Sequence, residues 1–137
     1  MIGLGQSRLY TTKKATILSG AAKPAIGLDV RGFATALIRV PAAWTAADIG
    51  FEVAATDPDA SGEGVEQNRQ DTGYVALVDK TGSRVKITTI ATAASKWYEV
   101  PAQALMAGFL RIASLHTGTG ADENQGADRA LVVALKT

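Results

Sequence analysis

Apolar residues recur at every second position in several short stretches of this chain. Phe51, Val53 and Ala55 share one side, Val75 and Leu77 follow with Asp79, and then Val85 and Ile87. Leu110 with Ile112, and Leu131 with Val133 and Leu135, repeat the pattern. A period of two sends successive side chains to opposite faces, so each stretch predicts a half-buried strand with one face on a core.

Strands are predicted over 12–18, 25–30, 33–40, 49–56, 73–79, 83–90, 96–100, 109–115 and 129–136. In the third, Ala34, Ala36, Ile38 and Val40 form an apolar face expected to point inward, opposite Phe33, Thr35, Leu37 and Arg39. Pro41 ends that strand by removing a backbone donor. Thr45 is placed to cap a single helical turn over 45–48. Lys80-Thr81-Gly82 closes the clearest hairpin, with Gly82 free to take positive φ. Residues 102–107 predict one or two helical turns closed by Gly108. Two polar stretches, 57–72 and 117–128, are long loops, which in a small domain are usually functional or disordered.

Eight or nine strands with loops of this kind predict an all-β chain. The expected architecture is a two-sheet antiparallel β-sandwich of jelly-roll type, with a closed barrel as its rival. Residues 1–10 lack periodicity and contain Gly3, Gly5 and Ser7. They predict an extended N-terminal arm, giving a division into an arm at 1–11 and a sandwich domain at 12–137. No fixed-period repeat is present.

The 137 residues suit one domain, and a hydrophobic fraction of 47% supports a core, although much of it is alanine, which buries little area. Cysteine is absent, which removes disulfides and thiolate metal sites. A net charge of +1 gives no global field toward nucleic acid or a membrane surface. The charge is unevenly placed. Arg8, Lys13 and Lys14 lie in the first fourteen residues with no acid, whereas Asp57, Asp59, Glu63, Glu66 and Asp71 face only Arg69. Both segments read first as solvated surface and second as patches for a complementary partner. Every apolar run is shorter than the roughly 18 residues of a membrane span. The first residues lack the charged start and apolar stretch of a secretion signal, so use or assembly in a cytoplasm is expected.

Candidate chemistry is sparse. His116 is the single histidine, and a Ser-His-Asp device would need Ser114 or Ser95 beside it, without a nucleophile-elbow pattern. The pairs Asp57/Asp59 and Asp122/Glu123 lie in glycine-rich loops, which hold two carboxylates poorly across a cleft. The run Asp57-Pro58-Asp59-Ala60-Ser61-Gly62 matches the start of a calcium loop, but Asn68 stands where the bidentate Glu belongs. Gly118-Thr119-Gly120 has no following Gly-Lys-Ser/Thr to make a phosphate cradle. Aromatics, at 6%, do not interleave with a basic stripe, which argues against a nucleic-acid platform. Trp44, Trp97 and Tyr98 are core residues at the ends of a sandwich or, if exposed, interface anchors or a sugar-stacking surface. Arg111 alternates to the face opposite Leu110 and Ile112, where it meets solvent or an interface. The expectation is a non-enzymatic chain without cofactor or metal.

The succession of Trp44, the strand Ile49-Gly50-Phe51-Glu52-Val53-Ala54-Ala55-Thr56-Asp57, then Tyr74-Val75-Ala76-Leu77-Val78-Asp79 and Phe109-Leu110-Arg111-Ile112-Ala113-Ser114 resembles small tailed-bacteriophage virion proteins with a β-sandwich core. The segment Gln125-Gly126-Ala127-Asp128-Arg129-Ala130-Leu131-Val132-Val133 adds to it, so about two thirds of the chain is covered. More distantly the pattern resembles discoidin-like sandwiches, which bind sugars or lipids through loops. The resemblance implies a capsid decoration or cement protein of the virion, often a homotrimer, whose partner is the major capsid protein or another virion protein. Arg8, Tyr10, Lys13 and Lys14 at the arm, with Trp97 and Tyr98, are the expected partner-binding residues. The alternative is a carbohydrate-binding module of a head or tail fibre.

Overall fold

The computed structural model describes residues 10–55, 73–90 and 95–137. Their strands are β1 (Tyr10–Ile17), β2 (Leu28–Asp29), β3 (Thr35–Arg39), β4 (Ala47–Ala54), β5 (Val75–Ala76), β6 (Lys86–Ile90), β7 (Trp97–Glu99), β8 (Phe109–Leu115) and β9 (Arg129–Lys136). One short helix, α1 (Gln103–Met106), precedes β8. Gly108 turns the chain from α1 into β8 with φ of 109°, a conformation that costs a residue without Cβ little.

Two antiparallel sheets share one core. The four-stranded sheet has the order β1-β9-β3-β7, and the five-stranded sheet β2-β8-β4-β5, with β6 also paired to β4. Only β4, β5 and β6 follow one another within a sheet; every other connection crosses to the opposite sheet. Ala15, Ile17, Ile38, Leu131, Val133 and Leu135 from the first sheet meet Ile49, Phe51, Leu110 and Ile112 from the second. Each large side chain here contributes about 1.5–3 kcal/mol relative to exposure. The result is an all-β sandwich, with separate sheets in place of a closed barrel.

Several predicted elements shift. β1 begins at Tyr10, which pairs with Lys136, so Tyr10 and Thr11 join the domain and only 1–9 of the expected arm lie outside the described residues. The strand expected at 25–30 contracts to Leu28–Asp29. No helical turn forms over 45–48. β4 already starts at Ala47, and Thr45 Oγ1 instead accepts bonds from the Gly126 amide and Arg129 Nη2. Ala34 is exposed, whereas Ala36, Ile38 and Val40 point inward as expected. The hairpin turn forms with Gly82 at φ 87°. Asp79 Oδ1 holds it by accepting from the Thr81 amide and hydroxyl and from the Ser83 amide.

The sheets differ in how much they hide. Alternation in β3 is strict, with Thr35, Leu37 and Arg39 exposed and Ala36 and Ile38 buried. In β8 all seven residues are buried. Its outward positions, Phe109, Arg111, Ala113 and Leu115, are paired with Ala54, Glu52, Gly50 and Asp48 of β4. That outer surface is covered by Tyr74, which clusters with Ala54 and Phe109, and by the charged side chains of Lys23, Arg84 and Lys86. The half-buried expectation therefore holds for the four-stranded sheet and fails for the central strands of the other.

Gly27 lets Tyr74 seat on that surface. A Cβ at this position would overlap the Tyr74 hydroxyl and stand 2.8 Å from the Leu110 carbonyl oxygen. Because the second contact is backbone, a side-chain rotation cannot relieve it. Gly27→Ala is expected to destabilise the fold by about 1–3 kcal/mol, as overpacking does. Urea denaturation checks this, and an unchanged midpoint would contradict it.

Candidate functional site

Of the sequence-predicted partner residues, Lys14 and Trp97 lie on the outer face of the four-stranded sheet, whereas Lys13 and Tyr98 turn to the other side. Lys14 is exposed on the outer face of the four-stranded sheet. Lys13, one residue earlier, lies on the opposite side, and its Nζ donates to the Asp29 carbonyl at 2.7 Å. Arg31 hydrogen-bonds the Asp29 carboxylate at 3.0 and 2.7 Å and holds it down to about 2. Tyr98 is half-buried and packs against the core beside Ile38. Trp97 points outward and is 46% exposed, whereas Trp44 is buried, its Nε1 donating to the Ala47 carbonyl. Tyr10 contributes its pairing with Lys136. Arg8 and the acidic segment 57–71, including the calcium-loop match, lie outside the described residues.

What the register does assemble is a ruled outer face. Lys14 pairs with Val132, Val132 with Arg39, and Arg39 with Trp97, giving one row across all four strands. The next row reads Thr12, Ala134, Leu37 and Glu99, and a third sets Lys136 beside Thr35. Opposed residues of an antiparallel pair point to the same side, so each row lies on one face. Leu37 is 45% exposed. Two apolar residues per row, Val132 and Trp97, then Ala134 and Leu37, run between Lys14, Arg39, Lys136 and Glu99. A groove of about 440 Å³ occupies the Leu37 end, lined by Leu37, Val100, Pro101, Ala102, Ala134 and Lys136 among others. A second depression of about 270 Å³ lies at the other end, between Lys14 and Arg39.

Sequence reasoning missed Leu37, Arg39, Val132 and Ala134 as members of this face. Alternation along β3 put Leu37 and Arg39 outward, but the neighbours that complete the face come from strands about 60 and 95 positions further along. Only the pairing brings them together.

The polar chemistry elsewhere is structural in its contacts. Arg111 is 3% exposed, and its Nε and Nη2 donate to Glu52 Oε1 at 2.9 and 2.6 Å. Lys23 Nζ reaches Glu52 Oε2 at 2.7 Å, and Arg84 Nη2 stands 3.7 Å away. Burial pushes the Glu52 carboxyl up, but the bonds from Lys23 and Arg111 outweigh it and hold the group below its ordinary range. Arg111, expected at solvent or an interface, is thus an internal ion-pair member. Ser114 is buried, and its hydroxyl accepts from Gln125 Nε2 at 2.9 Å. His116 is exposed, and its Nδ1 accepts from the Gly118 and Thr119 amides. The Gly118–Gly120 stretch is therefore a turn closed on a histidine ring. Among the described residues no group of three or more His, Cys, Asp or Glu could hold a metal ion, and no helix is long and apolar enough to cross a membrane.

No protein-family model matches the chain, and comparison with curated proteins and with solved structures finds no match.

Proposed function

We propose that this chain is a non-enzymatic bacteriophage virion structural protein, a capsid decoration protein that seats the outer face of its four-stranded sheet on the major capsid protein lattice. The observation that carries the reading is that open face: exposed Leu37 and Trp97 in register with Val132 and Ala134, beside Lys14, Arg39 and Lys136. Apolar anchors with a polar surround are what a protein interface uses. The sandwich is read as a jelly roll, since β1-β9-β3-β7 against β2-β8-β4-β5 interleaves two Greek keys in the manner of capsid-type jelly rolls. A homotrimer and an N-terminal arm that reaches a neighbour belong to the same proposal. In its support, β1 opens at Tyr10, which pairs with Lys136 at the larger groove.

Mixing the purified protein with undecorated capsids and sedimenting them tests the assignment. Stoichiometric co-sedimentation is expected, with loss for Leu37→Asp at unchanged circular dichroism. Absence of co-sedimentation by the wild type would remove the capsid role.

One observation favours a second reading, a carbohydrate-binding module. Trp97 presents 46% of its surface beside Arg39 in the same row, with Glu99 two positions along β7. An exposed indole flanked by hydrogen-bonding groups is a surface on which a sugar ring stacks.

A further inference from the structure

We propose that the depression between Lys14 and Arg39, together with Trp97, binds a uronic acid residue of an oligosaccharide chain. The inference rests on the saccharide reading and narrows it to carboxylated sugars. At about 270 Å³, the depression falls just under the roughly 300–1,000 Å³ of small-molecule sites, enough for one sugar unit of a chain that continues along the open sheet.

Its charge arrangement selects an anion. Lys14 and Arg39 both line the depression and stand on either side of Val132 in one row. Two strand spacings separate them, about 9–10 Å between Cα atoms, a span that two long side chains close around a single carboxylate. Lys13, Lys23, Lys86 and Arg111 each reach a protein oxygen. Lys14 and Arg39 make no ion pair or side-chain hydrogen bond among the described residues. A guanidinium offers a planar two-donor fork and an ammonium a point charge, which together fit a carboxylate.

The remainder of the site selects a sugar over an acidic peptide. Trp97 lies next to Arg39 in the row and supplies a flat apolar ring with a polar edge. A carboxylate side chain would not use that ring, whereas the apolar face of a pyranose would. Ser95 forms part of the wall with φ of 57°.

Titration calorimetry on the full chain with tetragalacturonate, cellotetraose and tetraglutamate tests the site. Tetragalacturonate is expected to bind about tenfold or more tightly than either of the others. Arg39→Ala and Trp97→Ala should each weaken it by about tenfold, with circular dichroism unchanged because both residues are exposed. Equal binding of cellotetraose would overturn the acid site while leaving the saccharide reading standing. Equal binding of tetraglutamate, or indifference to Trp97→Ala, would overturn the sugar as ligand. Failure of both saccharides to bind would overturn the site and the saccharide reading together.

Discussion

Glu52→Ala is expected to cost about 3–5 kcal/mol of folding stability, the loss typical of removing one partner from a buried ion pair. The change strips Arg111, 3% exposed, of the carboxylate that receives its Nε and Nη2. It also takes the 2.7 Å partner from Lys23 and the carboxylate that stands 3.7 Å from Arg84. A fall in melting temperature on the order of 10 °C or more follows for a domain of this size. The double change Glu52→Leu with Arg111→Met should cost less than Glu52→Ala, since it no longer leaves the fully buried Arg111 guanidinium alone. A Glu52→Ala variant within about 1 kcal/mol of wild type in urea would contradict this account. The pH dependence has a definite sign. Glu52 is held below its ordinary value of 4.5 in the folded state, so its contribution is present above that value and disappears as pH falls through the folded one. Glu52→Gln should accordingly flatten the acid limb of the stability profile.

Gln125→Ala is expected to cost about 2–4 kcal/mol, the sum of several lost bonds and of partners left partly unsatisfied. The amide is 1% exposed and every arm of it is used. Oε1 accepts from the Thr45 amide at 2.8 Å and from Arg129 Nε at 3.2 Å, while Nε2 donates to the Thr45 carbonyl and the Ser114 hydroxyl. Its backbone also bonds Gly20 and Ala21. One side chain thus ties the segment before β4 to β8 and to the entry of β9. Gln125→Met, which keeps most of the volume, should recover little, because hydrogen bonds and not packing are lost. Amide hydrogen exchange gives a local reading: Thr45 should exchange faster in both variants at matched global stability. Unchanged protection at Thr45 would show that the clamp does not hold the segment.

The strands with regular alternation were legible because each reports on its own surroundings. β3, β8 and β9 lie where period-two apolar residues placed them, and the 80–82 turn forms where Gly82 was expected to take positive φ. Thr45 was misread for the opposite reason. Its local context fits a helix cap, but its hydroxyl is engaged by Gly126 and Arg129, about 80 positions away. Gln125 looked like one polar residue in a long loop, since nothing in its neighbours along the chain marks it as buried. Arg111 was placed on the correct side of its strand, yet whether that side met water depended on Tyr74, Lys23 and Arg84.

Lys14 and Trp97 show the same division within the candidate site. Both were singled out as partner residues, and both are outward, but Lys13 and Tyr98 beside them turn to the core. Alternation makes neighbours in sequence occupy opposite faces, so an adjacent pair cannot serve one flat surface. The sequence by itself determined an all-β chain, most of its strand positions and the inward side of strands such as β3 and β9, because these depend on local periodicity; Val75, read as core-facing, is 66% exposed. The tertiary structure alone decided the order of strands in each sheet, the covering of one sheet and the exposure of the other. It also decided that Lys14, Val132, Arg39 and Trp97 form a row. Cross-strand register is set by contacts between residues far apart in the chain, and no local pattern encodes them.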